Sequence, residues 1–236
     1  MRFLYLIFIS LFFLSCGSVP KEYIKNNDIC HFNDPIFKIS KDEMTFDVEK
    51  YGKELKRGDL VLVDNKNFKS EYWNLMDGDI TNKQTNKQLN IEKWIRYKNG
   101  KIKWLRFKYE NGDSKIGREI LYDENGKVEK IINHEKGYKI CWVEAIEIIK
   151  KIAKKDIKKY DIRSFFLHRV DLNEFPNSKP KWIVLFEVPD SLDESDYDNE
   201  KHEQYRTYIV KNGTTQYVID GITGKLLKTF ITKTTP

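Results

Sequence analysis

Histidine is scarce in this 236-residue chain, with four in all, and cysteine is scarcer, with three. No Cys-x-x-Cys pair and no His-Glu-x-x-His are present, which leaves no metal-ligand spacing to build on, so no metal site is expected. A Gly-x-Ser-x-Gly elbow, a phosphate-cradling glycine loop and a dinucleotide fingerprint are equally missing, so neither a catalytic residue nor a cofactor is expected. Proline is held to 6 residues and there is no low-complexity tract, which together with a 40% hydrophobic and 14% aromatic composition excludes a disordered chain. Charge of one sign is lacking too: 42 basic residues face 36 acidic ones, a dispersed excess of +6 that gives no footprint for nucleic acid.

Long apolar runs are limited to one, at the very start. Arg2 is followed by residues 3–14, a run of 12 broken only by Ser10. A membrane-spanning helix needs about 20 apolar residues, so the order of charge and then short apolar run suits a secretory signal of residues 1–15. Phe13-Leu14-Ser15-Cys16 resembles the lipobox of bacterial lipoproteins, with phenylalanine where leucine is usual. The resemblance implies cleavage before Cys16, acylation of its sulfur and new amino terminus, and a stable lipid anchor on the bacterial envelope without a transmembrane helix. Residues 16–45 are then expected to be the lipidated cysteine and a tether. The other cysteines, Cys30 and Cys141, fit either one disulfide or two separate buried thiols.

Residues 46–140 read as a β-rich region. Residues 60–63, Leu-Val-Leu-Val, suit a buried strand, and the polar residues 77–90 suit an exposed loop or irregular hairpin. Beyond them Asn99-Gly100, Asn111-Gly112 and Asn125-Gly126 punctuate aromatic and β-branched runs, the signal of tight hairpins. With Gly137 these glycines recur every 11 to 14 residues, implying an antiparallel meander of repeats. Tyr97, Gly100 and Lys101, Tyr109 and Gly112, and Tyr122, Gly126 and Lys127 give hairpins that resemble the MORN-like Tyr-x-x-Gly-Lys repeat family. That family includes many bacterial proteins labelled as antitoxins. The motif speaks mostly of turn geometry.

Residues 141–236 open with a helix: Trp142, Ala145, Ile146, Ile149, Ile152, Ala153, Ile157 and Tyr160 share one face. Lys150, Lys151, Lys154, Lys155, Lys158 and Lys159 lie largely off it, as a solvated face or a contact for anionic headgroups or an acidic partner. Strand-like runs follow at 165–170, 182–188, 205–211, 217–220 and 226–231. The stretch Tyr217, Asp220, Gly221, Gly224 and Lys225 resembles the closing hairpin of PepSY-like domains, exported modules discussed as peptidase inhibitors or binding modules. The fold class expected is α+β: an antiparallel hairpin-repeat sheet, then a helix packed on an antiparallel sheet.

Residues 190–203 form an acidic insertion in which a calcium loop begun at Asp196 fails, with Lys201 and Thr207 where glycine and glutamate are needed. Asp193, Glu194, Asp196, Asp198 and Glu200 are instead candidate partner contacts. Asp171, Glu174 and Glu187 are the acids that could converge for acid–base work, with no spacing to select them. The expectation is a non-catalytic envelope lipoprotein, held by lipid on Cys16 and binding a protein. The alternatives are an inhibitor or immunity-type protein that neutralises a secreted toxin or peptidase, and a cell-envelope hydrolase.

Overall fold

The computed structural model of the protein describes residues 30–55, 58–112, 114–159, 161–187 and 214–232. The expected α+β class is the one observed: a seven-stranded antiparallel sheet in chain order, a second sheet of four strands, and a few short helices. The first sheet holds β1 (Leu60–Asp64), β2 (Phe68–Asn74), β3 (Ile80–Asn86), β4 (Ile91–Lys98), β5 (Lys101–Tyr109), β6 (Lys115–Tyr122) and β7 (Val128–Asn133). The second runs β11 (Leu226–Thr232), β10 (Thr214–Asp220), β9 (Lys181–Glu187) and β8 (Ser164–Arg169). The Asn-Gly pairs at 99–100, 111–112 and 125–126 lie in turns, and at β4–β5 both Asn99 and Gly100 take positive φ, the geometry a two-residue hairpin requires.

Period-two alternation gives the first sheet one inward face. On β4 Ile91, Lys93, Ile95 and Tyr97 are buried and the residues between them are not. The cover for this face is the chain from Cys30 onward, so residues 30–45 are not tether: Phe32, Ile36, Phe37 and Phe46 are buried, and Phe37 meets Phe107 at 5.0 Å between ring centroids. Short 3-10 turns at Pro35–Phe37 and Lys41–Met44 lead into α1 (Val48–Leu55), a helix with no apolar periodicity long enough to announce it. Glu43 drops from this cover onto Lys93, whose ammonium lies 2.6 Å from the carboxylate and 2.5 Å from the Lys38 carbonyl. Burial works against the Glu43 carboxylate, but Lys93, the Ser40 amide and Gln84 outweigh it and hold its pKa below the usual range. Burial pulls the Lys93 ammonium down.

Two local expectations are corrected. Residues 60–63 form a strand, but at the open edge of the sheet, where Val61 is 49% exposed, Leu62 43% and Val63 40%; a bulge in the pairing with β2 lies at the same place. Residues 77–90, expected as an exposed loop or irregular hairpin, supply the first strand and the turn of the β3–β4 hairpin, but residues 80–86 are largely buried rather than exposed, and their inward polar groups are satisfied: the Asn82 amide donates to Ser70 and to the Glu71 carbonyl, and Gln84 donates to Glu43. The long helix is divided at Ala153 into α2 (Trp142–Ile152) and α3 (Lys154–Lys159), with i→i−4 bonds continuing from Ala153 to Ile149 and from Ile157 to Ala153.

One hydrophobic cluster runs through both sheets. Helix α2 covers β9, and the Trp182 indole donates to the Ile140 carbonyl at 2.7 Å. The β5–β6 turn docks on β8, where the Leu167 amide donates to the Asn111 carbonyl at 2.9 Å and the Ser114 hydroxyl to the Leu167 carbonyl at 2.7 Å. A disulfide joins Cys30 to Cys141, 111 residues apart, which decides between the two readings of the thiols. It ties the first folded residue described to the start of α2.

Candidate functional site

The face of the first sheet turned away from residues 30–55 carries the molecule's most unusual side-chain pattern. Strand register places Trp94 opposite Arg106, and Arg96 opposite Trp104. Trp73, from β2, meets the Trp94 ring edge-on at 5.4 Å between centroids. The Arg106 guanidinium carbon lies 3.6 Å from the centroid of Trp104, and the ammonium groups of Lys83 and Lys108 lie 5.6 and 5.4 Å from that of Trp94. These side chains are half-buried by one another, as neighbours on an open sheet are.

Charges on this face are pinned in place. Glu71 lies 2.6 Å from Lys69 and 3.1 Å from Lys83, and Lys83 also reaches Glu92 at 3.6 Å. Glu92 accepts the Trp94 indole N–H at 2.7 Å. Arg96 is held by Asp77 and, at 2.6 Å, by Asp79 from the β2–β3 turn. Burial pushes Glu71 and Asp79 upward, but their cationic neighbours outweigh it and keep both carboxylates below the usual range. The arrangement offers aromatic surface framed by fixed ions of both signs.

A second constellation lies inside the molecule. His134 is 3% exposed; its Nε2 is 3.1 Å from Glu119 Oε2 and its Nδ1 is 3.1 Å from Asp171 Oδ2. Arg169 donates to the His134 carbonyl and lies 3.4 Å from Asp171. The bond from His134, then Lys115 and Arg106, hold Glu119 below the usual carboxylate range against its burial. Glu135 is fully buried, accepts the Gly117 amide at 3.0 Å, and has its pKa pushed up by that burial. Of the three acids that could converge, Asp171 meets His134, Glu174 is exposed, and the Glu187 side chain lies outside the described residues. His134 lines neither of two surface clefts, one of about 200 Å³ between α2 and the Gln88–Asn90 turn and one of about 580 Å³ beside Lys101 and Asp123. The cluster ties β6 to the segment after β8.

His31 edges the smaller cleft and His168 is exposed on β8. Cys16, the candidate partner contacts Asp193, Glu194, Asp196, Asp198 and Glu200, and His202 lie outside the described residues. Among the described residues, one group has metal-ligand proximity, Cys30, Cys141 and Glu144. Its sulfurs are bonded to each other, and Glu144 accepts the Cys141 amide at 3.1 Å as a helix cap.

Neither the Trp ladder nor the His134 joint was legible in advance: each depends on register or on residues 15 and 37 positions apart. The only available signal was the alternation Trp104, Arg106, Lys108 beside Trp94 and Arg96. Compared with protein families, curated proteins and solved structures, the chain matches no family model, no curated protein and no known structure.

Proposed function

We propose that the protein is a non-catalytic lipoprotein of the bacterial envelope, anchored through lipid on Cys16, which holds a protein partner against the open face of its seven-stranded sheet. The observation that carries this reading is the Trp73–Trp94 contact with Arg106 and Trp104 beside it, all four side chains part-exposed. Tryptophan and arginine are the residues in which binding energy concentrates at protein interfaces. The acidic segment at 193–200 supplies a further contact of opposite sign for a basic partner. Support for the compartment comes from the signal-like start and from the Cys30–Cys141 disulfide, a bond that persists in oxidising surroundings. The resemblance of the hairpins and of the closing segment to interaction modules fits the same role.

Affinity capture from detergent-solubilised membranes tests it. Wild-type protein should retain a specific partner, and Trp94→Ala combined with Arg106→Glu should reduce recovery by about 30-fold or more, as loss of an interface hot spot does. Retention unchanged in a variant whose melting curve shows it folded would refute the open face as the site.

A further inference from the structure

We infer that the lysine face of α2 and α3 is a docking surface for an anionic lipid bilayer, which seats the folded body on the membrane that its anchor enters; the inference rests on the lipoprotein reading above. Lys150, Lys151, Lys154, Lys155, Lys158 and Lys159 are all exposed. On α2, Trp142, Ala145, Ile146 and Ile149 are buried on the side away from Lys150 and Lys151, and Ala153 is buried at the junction with α3. The Ala153 amide donates to the Ile149 carbonyl and the Ile157 amide to the Ala153 carbonyl, so the six lysines follow one another along two consecutive short helices. Of the three carboxylates on these helices, Glu144 caps the Cys141 amide, Asp156 accepts from the Tyr217 hydroxyl, and Glu147 pairs with Lys150.

The covalent path from the anchor decides which occupant the lysines meet. Cys16 and Cys30 are 14 residues apart, a span of at most about 50 Å. The chain emerges into the fold at Cys30, and Cys30 is bonded to Cys141, its Cα 6.0 Å from that of the residue preceding α2. The 18 residues from Trp142 to Lys159 extend at most about 27 Å from that point when helical. A lipid on Cys16 therefore keeps all six lysines within reach of the headgroups. Each lysine near an anionic surface strengthens attachment by about fivefold, and an acyl anchor with a polybasic patch is a stable combination of signals.

The test uses the native full-length protein reconstituted into vesicles of phosphatidylcholine alone or with phosphatidylglycerol, with acylation of individual lysines read by mass spectrometry. Docking predicts several-fold slower acylation of Lys151, Lys155, Lys158 and Lys159 on the anionic vesicles, reversed at high salt, with Lys66 and Lys127 unchanged. A variant with those four lysines changed to glutamine should remain anchored while Lys150 and Lys154 lose their protection. Equal reactivity on both vesicle types overturns the inference, and so does protection that arises only when an acidic envelope protein is added. Mass measurement of Cys16 in the same sample reads the anchor separately, so a lipidated protein with unprotected lysines fails docking alone, and an unlipidated one fails the reading beneath it.

Discussion

Gly112 sits where two backbones come closest. With φ at +112°, it occupies a conformation that disfavours side chains, and an added Cβ would stand 2.3 Å from the Leu167 carbonyl oxygen. Gly112→Ala should therefore cost about 2–4 kcal/mol, seen as a lower denaturation midpoint. Lys93 makes the complementary case, a charge taken out of water for one partner. Lys93→Ala leaves Glu43 without its ammonium and should cost about 3–5 kcal/mol, more than Lys93→Met combined with Glu43→Leu. Glu43 titrates lower in the fold than in the unfolded chain. Its contribution is thus complete above the unfolded carboxylate value of about 4.3 and is lost as pH falls through the lower folded value. Acid unfolding curves should show a shallower pH dependence below about 4 in Glu43→Gln than in wild type.

At the scale of elements, the hairpins were legible because Asn-Gly pairs state their own geometry, and α2 because its apolar residues keep one period over three turns. What stayed hidden was fixed by partners far away in the chain. β3 reads as exposed because its inward Asn82 and Gln84 are polar, and they are tolerated there because Ser70, Glu71 and Glu43 receive their hydrogen bonds. β1 reads as buried because local hydrophobicity does not say whether a strand is central or at an edge. His134 reads as isolated because Glu119 and Asp171 reach it from different elements. The disulfide is the strongest tie between elements, closing a loop of 111 residues. Its reduction should lower stability by about 4–5 kcal/mol, measurable as a shift of the denaturation midpoint between oxidised and reduced samples.

For the whole molecule, two sheets share one core, a disulfide fixes the entry of the chain to the first long helix, and the face bearing Trp73 and Trp94 is the proposed site of partner contact. Partner binding and membrane docking both presuppose a lipid-bearing amino terminus. Intact-mass and peptide mass spectrometry of the native protein extracted from membranes measures that directly. The account predicts a chain that begins at Cys16, carries acyl groups on its sulfur and amino terminus, and contains Cys30 linked to Cys141. A chain that retains residues 1–15 with an unmodified thiol at Cys16 would contradict it.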